Sequence, residues 1–147
     1  MLRVHDKVDN WIVEIIKDDP VRPELSADFR INENSEMFSL WDDSGLGAIC
    51  CVRYTEGIPA SIEQLQEKSN PFADTVVFYT IWSYKKGCGR NLIIEASEHI
   101  ANRNPEIKNF VTLSPKTPMA EKFHISNGAW KYRVNPETVN YAYKLQE

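Results

Sequence analysis

A chain of 147 residues, 42% hydrophobic and 26% charged, is long enough for one soluble domain with its own core and too short for two. No apolar run is long enough to span a bilayer, and a net charge of −4 argues against a nucleic-acid partner, which would require a basic face. The cysteines, Cys50, Cys51 and Cys88, have neither zinc-site spacing nor the even count of a disulfide framework, so they read as reduced, small apolar residues.

The first residues, MLRVHDKVDN, lack a signal-peptide core, the pattern expected of a cytoplasmic protein. Asp6 is placed to cap a first helix running to about Asp18, with Val8, Trp11, Ile12, Ile15 and Ile16 on one face. Pro20 and Pro23 end it, and the polar stretch 24–35 reads as loop. Residues 37–41 (MFSLW) and 47–54 (GAICCVRY) read as strands joined through the turn Asp42-Asp43-Ser44-Gly45. Ser61 and Gln64 form a capping box for a short helix over 61–68. Residues 75–82 (TVVFYTIW) are apolar almost throughout, which predicts a central strand.

A helix follows over about 89–102, with Leu92, Ile93, Ala96 and Ile100 inward. KNFVTLS, 108–114, predicts another strand, and 118–126 a helix stopped by Gly128 at its C′ position. Two strands, WKYRVN (130–135) and VNYAYKL (139–145), close the chain around the turn Asn135-Pro136-Glu137-Thr138. No repeat or linker divides residues 1–147, which read as one domain. The alternation of elements predicts a mixed α/β sheet with helices on both faces.

Two stretches carry candidate chemistry. The loop SYKKGCGRN, 83–91, turns strand into helix with glycines at 87 and 89 and cations at Lys85, Lys86 and Arg90. Free N–H groups and a helix N-terminus there would suit a pyrophosphate. Taken alone, the same glycines fit better a tight turn that needs positive φ, with the cations merely solvated. The second stretch is FVTLSPKTPMAEKFHISNGA, 110–129, which holds Ser114 and His124. Singly, these are a turn serine and a helix histidine, and His5 and His99 fall in the same ordinary class. Phe78, Tyr79 and Trp82 read as core.

Taken in order, these segments resemble a known family. Long strand, glycine loop, helix, strand and helix is the layout of GNAT-type acyltransferases. Their loop pattern, Arg or Gln, two residues, Gly, one residue, Gly or Ala, is matched by Tyr84-Lys85-Lys86-Gly87-Cys88-Gly89 except at its first position. Their later helix pattern A-x-x-L-Y-x-x-x-G-F becomes Ala120, Phe123, His124, Gly128 and Ala129, which puts His124 where the tyrosine stands. FVTLSP, FHISNGA, RVN and VNYAYKL together resemble the C-terminal catalytic domain of malonyl-CoA decarboxylases, a branch of that superfamily. DTVVFYTI, YTEGIPASIEQL and VHDKVDNW extend the resemblance upstream, and it is weakest over 18–35. No segment matches the family's helical N-terminal domain, and Pro-Lys-Thr-Pro stands where the family has Pro-Ile-Pro-Gly.

The resemblance implies a GNAT-like, mostly antiparallel sheet with a central splayed parallel pair, strands 75–82 and 108–114. It implies conversion of a malonyl thioester to an acetyl thioester and CO2, a lyase of fatty acid metabolism. The alternatives are acyl transfer from acyl-CoA to an amine or thiol, and acyl-CoA binding without catalysis. The implied catalytic residues are Ser114, His124 and Tyr143, with Ser114 and His124 facing one another. Coenzyme A would lie on Ile81, Trp82, Lys85, Lys86, Gly87, Cys88, Gly89 and Arg90, with no metal. An acyl carrier protein as an alternative carrier and a homodimer are compatible with the resemblance.

Overall fold

The computed structural model describes residues 1–67 and 71–143. Its first element is a strand, β1 (Leu2–His5), which pairs antiparallel with β2 (Leu2↔Leu40 to His5↔Met37). The sequence pattern predicts no element over these residues, only a helix after Asp6. Arg3 and His5 are polar, but each finds an aromatic partner: Arg3 lies 4.3 Å above the Trp41 ring and His5 stacks on Trp11 at 5.1 Å. The helix α1 (Asn10–Ile15) is therefore shorter than expected, and Asp9, not Asp6, caps it by accepting the Ile12 N–H at 2.9 Å. Ile12 is buried while Val8 is exposed. A 3-10 turn (Ile16–Asp18) ends the segment. Within the stretch read as loop lies a one-turn helix, α2 (Ala27–Arg30), capped by Ser26.

The hairpin β2 (Ser35–Asp42) and β3 (Gly45–Thr55) forms as expected. In the short α3 (Ile62–Leu65), Ser61 accepts from Gln64 N–H, and Gln64 reaches back to Ala60 N–H instead of Ser61. Lys68 of the expected helix lies outside the described residues. The strand β4 (Thr75–Ser83) leads into α4 (Cys88–Arg103) and β5 (Asn109–Thr112). The expected strand 108–114 is broken after Thr112, and β6 (Ser114–Pro115) departs as a separate piece. Then come α5 (Pro118–Ser126), with Thr117 as its cap, β7 (Trp130–Val134) and β8 (Thr138–Ala142). Residues 144 and 145 of the expected last strand lie outside the described residues.

One sheet runs β1-β2-β3-β4-β5-β8-β6, with β7 on β8. The strand pairs are antiparallel except β4–β5. Strand β4 is central, and its side chains divide between two cores. Val77, Tyr79 and Trp82 pack with Ile12, Ile49 and Leu65 on one face; Val76 and Phe78 pack with Leu92, Ala96 and Ile100 of α4 on the other. Among the described residues no helix is long and apolar enough to cross a membrane.

The parallel pair comes apart in its second half. It runs from Thr75↔Asn109 to Phe78↔Thr112, with a last bond from Leu113 N–H to Phe78 O at 3.2 Å. On the other side of β4 the register jumps from Cys51↔Thr80 to Val52↔Phe78, so Tyr79 is an extra residue. Such a bulge bends and twists the strand that carries it. Beyond it β4 continues along β3, while Ser114 and Pro115 pair with Val139 and Thr138 of β8. The sheet is thus split between β4 and β6 at its C-terminal edge, where open α/β sheets take ligands.

Candidate functional site

The split opens a cleft of about 320 Å³. Phe78–Ser83 of β4 form one wall and Ser114, Pro115 and α5 the other, with Pro20 and Val21 at one end. A larger hollow of about 780 Å³ lies at the opposite end of the sheet, around Glu36, Tyr54 and Arg103, and holds none of the expected site residues.

Ser114 and His124 both line the cleft, 4% and 5% exposed. Pro118 in the first turn of α5 and Thr117 Oγ1, accepting Ala120 N–H at 3.2 Å, start the helix that carries His124. The imidazole stacks on Tyr141 (5.0 Å between centroids) and its Nδ1 is 2.6 Å from the Tyr143 hydroxyl. Burial lowers the His124 pKa to about 4, so the ring is neutral at pH 7. Burial pushes the Tyr143 phenol up, so it keeps its proton. If that proton is donated to Nδ1, the imidazole carries its own on Nε2. Ser114 does not bond His124 directly: its Oγ donates to Thr112 Oγ1 at 2.8 Å. Thr112 Oγ1 also accepts the Tyr141 N–H at 3.1 Å.

Of the residues expected to hold CoA, Ile81 and Trp82 line the cleft. Trp82 Nε1 donates to Tyr84 OH at 2.9 Å, and Tyr84 donates to Asp18 at 2.7 Å. A hollow of about 520 Å³ adjoins the glycine loop, bordered by Lys85, Lys86, Gly87, Gly89 and Arg90. Gly87 caps α4 at φ +84°, a conformation that L side chains resist. Gly89 serves packing: a Cβ there would meet Ser83 Oγ at 2.8 Å and the Phe123 ring at 3.3 Å. Lys85 leans away to the β2–β3 turn, where Asp42 takes its ammonium at 2.6 Å and is held well below the usual carboxylate pKa. Lys86 and Arg90 have no ion-pair partner among the described residues. Cys88 does not face the hollow. Its thiol packs on Gly47, and its N–H is spent on Lys85 O at 3.2 Å.

Sequence reasoning missed Asn127, which borders the glycine-loop hollow with a buried, unpartnered Nδ2. Its place in FHISNGA was the available signal. It also left the polar residues of RVN and VNY without roles. Asn140 Nδ2 bonds Thr112 O at 2.8 Å and Pro59 O at 3.0 Å, while its Oδ1 accepts from Arg133 and Asn135. These residues clasp β8 to the 58–60 segment and to Thr112, and so hold the Ser114 wall.

No protein-family model matches the chain. No curated protein sequence matches it. Solved structures do. A malonyl-CoA decarboxylase from Cupriavidus metallidurans superposes with a TM-score of 0.75 at 15% identity, over 97% of this chain and 60% of that one. One from Agrobacterium vitis gives 0.68 at 24% identity, over 92% of this chain and 38% of that one. The chain therefore spans less than two thirds of either enzyme. A Bacillus subtilis acetyltransferase in complex with CoA gives 0.64 at 12% identity, over 99% of this chain and 98% of that one. At these identities the likeness establishes the fold: a mixed, mostly antiparallel sheet with one parallel pair, shared by malonyl-CoA decarboxylases and GNAT acetyltransferases.

Proposed function

We propose that the chain is a malonyl-CoA decarboxylase-like enzyme, with the acyl–pantetheine arm in the split of the sheet and the pyrophosphate against residues 86–90. The observation that carries this reading is that Ser114 and His124, from separate elements, line one apolar cleft where the parallel strands part. The neighbour crystallised with CoA supports CoA as the carrier. The free cations Lys86 and Arg90 suit its phosphates, and the N–H groups of Gly87 and Gly89 have no acceptor among the described residues.

The chemistry follows from the donor set. Loss of CO2 breaks the bond between the α-carbon and the carboxylate, and its electron pair passes into the thioester as an enolate. A neutral His124 with its proton on Nε2 is a donor for the enolate oxygen. Donors placed where charge develops contribute roughly 3–4 kcal/mol each. An imidazolium would be costly in this apolar cleft, and the lowered pKa avoids it. Ser114, on the same wall as His124, is assigned the proton transfer: its hydroxyl turns from Thr112 to give its proton to the α-carbon and is reprotonated from solvent. Tyr143 sets the His124 tautomer. The apolar cleft wall keeps water from the enolate.

Acyl transfer is the second reading, favoured by the nearly full-length match to an acetyltransferase. Incubation with malonyl-CoA alone, with products identified by mass spectrometry, separates the two. Acetyl-CoA formed without any acceptor supports decarboxylation. Intact malonyl-CoA, with acyl transfer only when an amine or thiol is added, ends it.

A further inference from the structure

Beside the cleft lies a guanidinium that makes no direct ion pair among the described residues. Asp19 is buried there. Its Oδ2 takes Arg30 Nη1 at 2.7 Å, and its Oδ1 takes Thr80 Oγ1 at 2.7 Å and the N–H groups of Val21 and Arg22 at 2.8 and 3.1 Å. Arg30 is wholly buried, and its other donors go to the Leu25 and Arg22 carbonyls. One carboxylate is thus matched by one guanidinium. Arg22 is a second guanidinium in the same turn. It makes no ion pair among the described residues, its Nε is buried without an acceptor, and burial lowers its pKa. Glu24, which is exposed, and Asp19 act on it without a direct ion pair. A partly buried cation without a counter-ion is costly unless a ligand supplies one.

Its place is informative. Arg22 Nη2 donates to Leu113 O at 3.0 Å. Leu113 follows the last residue of β5 and precedes Ser114. In an unsplit parallel pair its carbonyl would take an N–H of β4; here Arg22 supplies the donor and sits at the fork of the split. Val21 and Ser114, on either side of this contact, both line the cleft. The cleft lining contains no Asp, Glu, Lys or Arg and His124 is neutral at pH 7, so the guanidinium of Arg22, outside the lining but next to Val21 and bonded to Leu113, would act from just behind the cleft wall.

We infer that Arg22 is a specificity-determining residue, the counter-charge that selects thioesters whose acyl group ends in a carboxylate over neutral acyl groups. This rests on the proposed use of the cleft. In a site shielded from water, a guanidinium at the fork attracts such a carboxylate and turns it toward the Ser114 wall.

The test is calorimetric titration of malonyl-CoA and of acetyl-CoA into the Ser114→Ala protein, alone and combined with Arg22→Gln or Arg22→Lys, with each mixture checked for products. Arg22→Gln keeps a donor for Leu113 O and removes the charge; it should weaken malonyl-CoA binding by roughly 10- to 100-fold, the scale of a hydrogen bond to a charged group, with acetyl-CoA binding unchanged. Arg22→Lys keeps the charge and should keep most of the malonyl preference; it carries the test if the glutamine variant melts early. Equal weakening of both thioesters, or none, makes Arg22 a structural wedge and overturns the inference. Failure of the functional reading looks different: the wild type leaves malonyl-CoA intact while Arg22→Gln still erases a malonyl preference. A wild type that binds no CoA thioester removes both.

Discussion

Replacing His124 with glutamine tests the electrostatic state on which the proposed chemistry depends. In the unfolded chain the imidazole takes a proton near pH 6.5; in the folded chain burial delays this to about 4. The folded-state pKa is depressed, so the unfolded state binds the extra proton between these values. Stability from this group is complete above pH 6.5 and is lost as pH falls toward 4. At about 1.4 kcal/mol per pH unit, the loss by pH 4.5 is roughly 2–3 kcal/mol. His124→Gln cannot protonate and its amide can still meet Tyr143. Urea unfolding of both proteins at pH 7.5 and 4.5 isolates the effect, because carboxylate and His5 titration is common to the two. The wild type should lose roughly 2–3 kcal/mol more than the variant across that interval. Parallel losses would refute a buried neutral imidazole. Decarboxylation by the wild type should likewise keep a constant kcat between pH 8 and about 5.5, because a donor with a pKa near 4 does not titrate there. An acid limb near pH 6.5 would contradict that role.

Other expectations follow from single contacts. Gly89→Ala should destabilise the fold by about 1–3 kcal/mol in denaturant titration, since its Cβ would press on Ser83 Oγ and the Phe123 ring. Asn140→Ala should cost about 3 kcal/mol or more and slow turnover as well, because it frees the Thr112 and Pro59 carbonyls and loosens the Ser114 wall. Reversing charge at Lys86 and Arg90 together with glutamate should weaken CoA binding about tenfold or more while leaving pantetheine binding unchanged, since only CoA carries phosphates. Equal effects on the two ligands would move the pyrophosphate away from this loop.

What was legible depended on how local the signal was. The strand 75–82, the helix 118–126 with its Gly128 end, and the β2–β3 hairpin were readable because periodicity, caps and turn residues act over a few positions. Strand β1 was hidden because its polar residues are satisfied outside the strand, His5 by Trp11 and Arg3 by Trp41, the second far away in sequence. The break after Thr112 was hidden for a similar reason: it depends on the Tyr79 bulge and on β8 capturing Ser114. Ser114 and His124 were found through motif order, and the structure adds the partners that order could not supply, Thr112 for one and Tyr143 for the other. Arg22, in the segment where the resemblance is weakest, carries no motif at all. Its significance lies in a guanidinium left without a direct ion pair, which emerges only when Asp19 is seen to be spent on Arg30.

The central claim is that the cleft between β4 and β6 stabilises an enolate. The direct measurement is release of labelled CO2 from malonyl-CoA carrying ¹³C in its free carboxylate, with no acceptor present, by the wild type, Ser114→Ala and His124→Gln. Labelled CO2 should appear with equimolar acetyl-CoA in the wild type, and each substitution should slow its release by about 10²-fold or more with CoA affinity largely intact. Release at the wild-type rate from both variants, or no release from the wild type while CoA still binds, would contradict it.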